Sequence, residues 1–380
     1  MALSTPSQSP AVVVKEIDLT GGVPNVQSTT GAIVGNFRWG PADQRVLIDN
    51  ETSLVNTFAS PDSANTIDFH SASYFLRYSG SLQVVREVTS SAQNARSTTG
   101  QLATDNDGSL PTELVKNDDD FAAQQSALDS DSHTLIARYP GELGNSIQVS
   151  ICPPNSTAFN AWSYKDDFDA APSTSDYASN KNATNDEIHV VVVDNGGELT
   201  GTKGTVLERY PFVSIASDAK NADGTTNYAK DIINARSEYI HMVAFDSDYS
   251  SAGAGTTADS GDNFSPGLTA ATNHAFTKGA NSGALTTTEY LAGFDLFEDK
   301  DIVEVDFLVA PSMNSRADQT TVVNDLISTA SQTRKDCVVT ASPARTDVIN
   351  LTNTTTITNN ITATADTFTA SSYLVMDGNF

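Results

Sequence analysis

Five histidines (His70, His133, His189, His241, His274) and two cysteines (Cys152, Cys337) are the first residues to weigh for chemistry in this chain of 380 residues. The histidines are scattered. None makes the i, i+4 pair of a helical metal site, and no HExxH occurs. His189 sits alone in the apolar run Ile188–Val193, which suits a satisfied or surface histidine better than a ligand. Two cysteines beside β-type apolar residues read as buried free thiols, and two are too few for a disulfide framework. The run Asn117-Asp118-Asp119-Asp120 offers oxygens to calcium but lacks the glycine and distal glutamate of a calcium loop. It reads as a solvated turn. Gly201-Thr202-Lys203-Gly204-Thr205 has a phosphate loop's residue types without the GxxxxGK[ST] spacing, so a β-turn is expected. There is no GxSxG elbow and no GxGxxG opening a helix. No catalytic, cofactor-binding or metal-binding residue is assigned, no cofactor is expected, and the chain is not expected to be an enzyme.

One place allows an enzyme reading a fair test. Ile302–Ala310 reads as a strand. Val322, Val323, Leu326, Ile327 and Ala330 form one helical face, and Cys337-Val338-Val339 begins another strand. Strand, helix, strand in this span is a βαβ unit with parallel strands. Ligands in open α/β sheets bind beyond the carboxyl ends of the strands. Here those ends carry Arg316 and Arg345 with several hydroxyls. They could meet an anion, cap the sheet, or pair with acids. No acid, base or nucleophile accompanies them.

The earlier elements are of the same kind. Residues 1–10 are polar with Pro6 and Pro10, an extended arm. Val12-Val13-Val14 through Ile17 and Leu19 reads as a strand ended by Gly21-Gly22. Ala32-Ile33-Val34 is a second strand. Two short helices are expected around Leu54, Val55, Phe58 and around Ala72, Phe75, Leu76, the first capped by Asn50 or Thr52. Leu82–Val88 is a strand. Residues 90–133 turn polar. Strands return at Thr134–Ala137, Ile147–Ile151 and Ile188–Val193, the last followed by the turn Asp194-Asn195-Gly196-Gly197. Residues 155–185 and 246–288 read as surface excursions. The Thr-rich run 352–369 alternates in a way suited to exposed β-structure, and Tyr373–Met376 is a last strand.

Lys and Arg number 21 against 47 Asp and Glu, a formal charge of −26. That balance opposes a nucleic-acid binder, which needs a basic footprint, and opposes docking on an anionic membrane. No apolar run approaches the roughly 20 residues that span a bilayer. The first residues show neither the basic nor the apolar region of a secretory signal. The low charged fraction, 18%, favours β-rich surfaces and loops over long solvated helices.

Several segments in one order resemble the tail sheath proteins of T-even-like contractile-tailed phages. They are Ser9–Thr20, Gly31-Ala32-Ile33-Val34-Gly35 followed by Arg38-Trp39-Gly40-Pro41, and Phe75-Leu76-Arg77-Tyr78 followed by Leu82-Gln83-Val84-Val85-Arg86. Ala137–Asn145, Gly201–Glu208 and Arg334–Cys337 through Ser342-Pro343 continue the series. Ala11 stands where the family usually has glycine. Residues 155–185 and 246–288 align with nothing in it. Sheath proteins of this branch extend further, so the resemblance implies a core incomplete at its C-terminus.

The resemblance implies a mixed α/β and β, multi-domain tail-sheath fold. It has an arm over 1–20, a discontinuous α/β core over 21–97 and 300–380, an inserted β-rich outer domain over 98–185, and a second inserted domain over 186–299. It implies a structural subunit of a virion tail. Such a subunit is assembled in the host cytoplasm, polymerises around the inner tail tube, and contracts to drive the tube through the host envelope. The implied partners are further copies in a helical array, the tail tube protein, and the baseplate and tail terminator proteins. No direct nucleic-acid contact and no membrane insertion are implied. Pro10, Val12, Val13, Val14, Ile17 and Leu19 are the expected inter-subunit arm, since a strand-forming arm can add to a neighbour's sheet edge. Trp39, Phe75 and Leu326 read as packing residues. The alternatives are the sheath of a phage-derived contractile injection system and an adhesin-like β protein.

Overall fold

In a computed structural model the described residues are 29–97, 114–130, 134–265 and 267–378. The expected arm residues Pro10, Val12, Val13, Val14, Ile17 and Leu19, and His133, lie outside them. The chain begins with β1 (Gly31–Gly35), β2 (Arg45–Ile48), α1 (Glu51–Phe58), α2 (Thr66–Leu76) and β3 (Leu82–Arg86). It continues with β4 (Arg96–Ser97), α3 (Asp118–Ser130), β5 (Leu135–Ala137), β6 (Ile147–Cys152), α4 (Ser156–Ala161), α5 (Asp176–Asn180), β7 (Glu187–Asp194) and β8 (Thr205–Ser214). Then come α6 (Ala229–Arg236), β9 (Ile240–Met242), α7 (Ser247–Ser251), β10 (Thr272–Thr277) and α8 (Thr287–Asp295). Last are β11 (Phe307–Val309), α9 (Arg316–Ser328), β12 (Val338–Ala341), α10 (Arg345–Val348), α11 (Thr354–Ala365) and β13 (Leu374–Met376). The fold class is mixed α/β.

The chain's two ends build one sheet in the order β13-β12-β11-β1-β3-β2. All its pairings are parallel except β2 with β3. Parallel strands with helices on both faces read as near-continuous apolar runs, and all five residues of β1 are buried. Leu54, Phe58 and Phe69 of α1 and α2 bury against Ile33 and Val84 on one face. Tyr290 and Phe294 of α8 and Val322 and Leu326 of α9 bury against Ala32, Val34, Leu308 and Val339 on the other. The crossovers therefore run outward from β1 and β11 over opposite faces, which makes the gap between these strands the switch point of a doubly wound sheet. The Asn50 side chain caps α1 by accepting from Ser53 N at 2.9 Å. The expected βαβ unit is present, but its first strand begins at Phe307 rather than Ile302. Asp299 closes a turn there, its Oδ1 accepting from Asp301 N at 2.8 Å.

The second sheet is antiparallel, in the order β8-β7-β6-β10-β4-β5-β9. β6 and β7, which lie on either side of the 185/186 boundary expected from sequence, pair over Ile147–Cys152 and His189–Asp194. Helix α8, from the 186–299 segment, packs on the parallel sheet. A Cβ on Gly293 would meet Val34 Cγ1 at 2.5 Å.

Four expectations are corrected. Residues 246–288 hold β10, a central strand between β6 and β4. Its alternation (His274 and Phe276 buried, Asn273 and Thr277 exposed) is genuine period two, masked in sequence by small polar neighbours. Residues 155–185 carry α4 and α5, and Trp162 is buried with its indole N–H donating to Ser150 Oγ at 2.8 Å. Asp118–Asp120 open α3 instead of forming a free turn. The Asn117 side chain accepts from Asp120 N at 3.0 Å, and acids suit the positive end of a helix. The Thr-rich run forms α11, not exposed β-structure. Asn353 caps it, accepting from Thr356 N at 3.1 Å. Ile357, Asn360, Ile361 and Thr364 turn inward at helical spacing, while Thr358 and Thr362 hydroxyls donate to carbonyls four residues back.

Candidate functional site: the junction of the two sheets

The sheets meet beyond the carboxyl ends of β1 and β3. Arg86, the last residue of β3, is 1% exposed. Its Nε donates to Phe37 O at 2.8 Å, and its two terminal nitrogens donate to Gly40 O and Pro140 O, each at 2.6 Å. Phe37 and Gly40 follow β1, whereas Pro140 follows β5 of the other sheet. One guanidinium fork thus fastens both layers, a geometry a lysine cannot supply. Burial pulls Arg86 down to about 9, so it stays cationic at neutral pH. Gly141 takes φ 139°, and a Cβ there would meet Arg38 O at 2.9 Å, which explains the glycine of the Tyr139-Pro140-Gly141 segment. Trp39 packs edge-on to Tyr139 with ring centres 5.4 Å apart.

Beside this fork lie Asp43, Glu87 and Lys116. Lys116, which leads into α3, pairs with Asp43. Burial pushes the Glu87 carboxyl up to about 9, helped by its hydrogen bond to Asp43 and that neighbour's charge. Asp43 moves down despite its own burial, because Glu87 and Lys116 both donate to it. The pair therefore holds one proton, on Glu87, at neutral pH. The unfolded chain ionises this carboxyl from about pH 4.5, whereas the folded chain keeps it protonated. Its contribution to stability is complete below the unfolded value and is lost as pH rises toward 9. Glu87→Gln keeps a donor for Asp43 and removes that dependence. Its unfolding free energy from urea titration should match the wild type near pH 4.5 and exceed it at pH 8 by about 2–4 kcal/mol.

Between the sheets runs a cleft of about 730 Å³ walled by Trp39, Tyr139 and Tyr239 and bearing Arg38, Arg138 and Arg236, with Glu198 and Glu238. Arg138 is engaged by Ser237 O and Asp118. The buried Nε of Arg38 finds no hydrogen-bond partner among the described residues. The side chain is ion-paired, Nε with Asp62 Oδ2 at 3.4 Å and Nη2 with Glu198 Oε2 at 3.9 Å.

The residues singled out from sequence fall elsewhere. His189 has both ring nitrogens occupied, Nε2 by Ala170 O at 2.8 Å and Nδ1 by Phe212 N at 3.0 Å. Cys152 and Cys337 are buried free thiols. Gly201-Thr202-Lys203-Gly204-Thr205 leads into a strand, where a phosphate loop would lead into a helix, and Gly201 and Gly204 are left-handed. Arg316 is held by Asp347 in a two-point pair at 2.9 and 2.8 Å. Arg345 lines a separate crevice of about 390 Å³ at the switch point, with Asp68 and Tyr290. Burial raises Asp68 to about 6. Sequence reasoning did not single out Arg86, Glu87, Asp43 or Lys116. The available signal was two adjacent charges, Arg86-Glu87, inside an otherwise apolar strand run.

Over 230 residues the chain is 34% identical to the tail sheath protein of Salmonella phage ViI, covering 60% of this chain and 32% of that protein. This chain is similar in sequence to phage tail sheath proteins. The sheath protein of Enterobacteria phage T4 is 39% identical over 95 residues, which cover 25% of this chain and 14% of that one. That of Vibrio phage KVP40 is 35% identical over 88 residues, covering 23% and 13%. The chain thus spans about a third or less of the length of these sheath relatives. No family model matches it. A sheath tail protein of Listeria innocua superposes with a TM-score of 0.43 at 11% identity, over 90% of this chain and 57% of that one. Another from Desulfitobacterium hafniense superposes at 0.42 and 14%, over 88% and 52%.

Proposed function

We propose that this chain is a structural subunit of a phage contractile tail sheath, which polymerises around the inner tail tube and contracts to drive it through the host envelope. The observation that carries this reading is the 34% identity over 230 residues to a tail sheath protein. The role is mechanical rather than catalytic. Its partners are further copies, the tail tube protein, and the baseplate and terminator at the two ends of the sheath. Its place is the virion tail, assembled in the host cytoplasm. Among the described residues no helix is long and apolar enough to cross a membrane.

Contraction of this kind moves subunits as rigid bodies, and the buried Arg86 fork supports such rigidity by joining both sheets. The sequence supports a parallel core from 21–97 and 300–380 carrying outward-facing units over 98–185 and 186–299. The arm residues Pro10, Val12, Val13, Val14, Ile17 and Leu19 add a strand to a neighbouring copy. Among the described residues β2 and β13 edge the parallel sheet, and sheet edges of this kind can accept a strand. The test is assembly: purified chain, alone and with tail tube protein, seen by negative-stain microscopy. Hollow tubes or rings support the sheath. A persistent monomer that binds glycans supports the adhesin-like alternative.

A further inference from the structure

Helix α2 runs the length of β1 in the opposite direction. A Cβ on Gly31 would meet the Phe75 ring, and one on Gly35 would meet Asp68 Cβ at 2.7 Å. The end of α2 therefore lies at the amino pole of the parallel sheet and its start at the carboxyl pole. Phe69, Ala72, Phe75 and Leu76 turn toward the sheet. The outer face carries His70, Tyr74, Arg77 and Tyr78, all exposed. Their spacing of four, seven and eight makes one stripe along the helix and the turn that closes it.

The core makes no use of this stripe. Tyr78 is 95% exposed and Tyr74 55%. Its members are nonetheless ordered against one another. The His70 and Tyr74 rings stand 6.1 Å apart, and the Arg77 guanidinium sits over the Tyr74 ring at 4.7 Å. Rings already held by neighbours offer contact area at little cost in freedom.

The occupant follows from where the chain enters the sheet. Ser79 Oγ donates to Thr29 O, the Thr30 and Ser81 hydroxyls lie 3.0 Å apart, and Gly31 N donates to Ser81 O at 3.1 Å. Thr29 is thus fixed at the residue next to Tyr78. The eight residues before it, 21–28, carry no charge and include Val23, Pro24 and Val26. From His70 to Tyr78 a helix rises about 12 Å. The five steps from Val23 to Ser28 span up to about 17 Å, enough for the stripe and a turn at its end.

We propose that residues 23–28 dock on the outer face of α2 in the same chain, with Pro24 and Val26 against the two tyrosine rings. The contact is internal and does not need polymerisation. Its consequence rests on the arm reading given above. A segment that ends at Tyr78 and covers the stripe enters it at the His70 end. Residues 1–20 then leave from the carboxyl pole of the sheet, although β1 begins at the amino pole. Anchoring the segment also shortens the free length of the arm, which raises its effective concentration at one neighbour.

The experiment is a disulfide within the full chain, formed at a dilution that disfavours contacts between copies. Val23→Cys is combined with Ser71→Cys, which lies beside the stripe and leaves both tyrosines in place. The control combines Val23→Cys with Asp49→Cys, an exposed position at the amino pole whose backbone oxygen lies 3.8 Å from a Cβ placed on Gly80. The native thiols are buried, and burial raises them to about 12 and about 11, so they stay unreactive near pH 8. The Ser71→Cys pair should close within one chain, read as loss of both new thiols and a shifted monomer band on a non-reducing gel. The Asp49→Cys pair should close about tenfold less. Adding Tyr74→Ala and Tyr78→Ala should lower the Ser71→Cys yield about tenfold. Equal yields at the two positions overturn the docking. A yield indifferent to both tyrosines overturns the aromatic face as the receptor. Disulfides between copies make a second copy the occupant and overturn the internal contact. Each of these results, with tubes or rings from the unaltered chain, leaves the sheath reading standing. The expected disulfides in a chain whose unaltered form never makes tubes or rings support the docking and overturn the sheath reading.

Discussion

Arg86→Met is expected to destabilise the chain by about 3–5 kcal/mol, since it leaves buried acceptors without their donor. Three carbonyls lose their donor at once: Phe37 O, Gly40 O and Pro140 O. Two belong to the parallel sheet's margin and one to the antiparallel sheet's, so the loss also weakens the joint. Urea unfolding should move to a lower midpoint and split into two transitions, one for each sheet. Arg86→Lys should recover only part of the loss, because one ammonium cannot face three divergent carbonyls. A single transition shifted by less than about 1 kcal/mol would mean that the sheets are joined by their apolar contacts alone.

Removing residues 1–20 is expected to abolish assembly while leaving a folded monomer. The parallel sheet begins at Gly31, and Thr30 holds it by donating its backbone N–H to Asp306 Oδ2 at 2.8 Å. β1 starts at Gly31, outside the deleted span; the urea midpoint should match the full chain, while tubes and rings disappear from negative-stain fields. Val13→Pro should act in the same direction, because proline removes a donor from any strand ladder. Tubes of normal diameter from the truncated chain would sink the arm as the tether.

The parallel core was legible because its signal is burial on both faces. β1, β3 and the β11–α9–β12 unit carry apolar runs or helical apolar faces that few alternatives explain. Legibility fell where polar residues do structural work. β10 is a central strand written Thr-Asn-His-Ala-Phe-Thr, and its His274 and Asp246 are buried as a pair at 3.1 Å. α11 is a helix written largely in threonine, a residue whose branching favours strands. Its cap is local, but the inward residues that decide the outcome need the neighbouring α9 and α10 to be seen. α3 begins with three aspartates because the cap at Asn117 and the helix dipole reward them. In the junction, Arg86 and Glu87 look like the polar end of a strand. Only folding reveals that Pro140, 54 positions along, supplies the third carbonyl. Arg316, read as a candidate anion contact, is engaged by Asp347, which lies beyond the next strand of the βαβ unit.

The −26 charge also becomes more specific. Under the proposed sheath function it suits a polymer that must stay soluble before it assembles.

The most direct measurement is negative-stain microscopy of the purified chain mixed with preformed tail tubes, with tubes alone as the control. The sheath reading predicts a second, regularly striated layer that widens the tubes along their length and is absent with the chain lacking residues 1–20. Tubes that remain bare at chain concentrations well above the tube subunit concentration, with the chain monomeric alongside them, would contradict it.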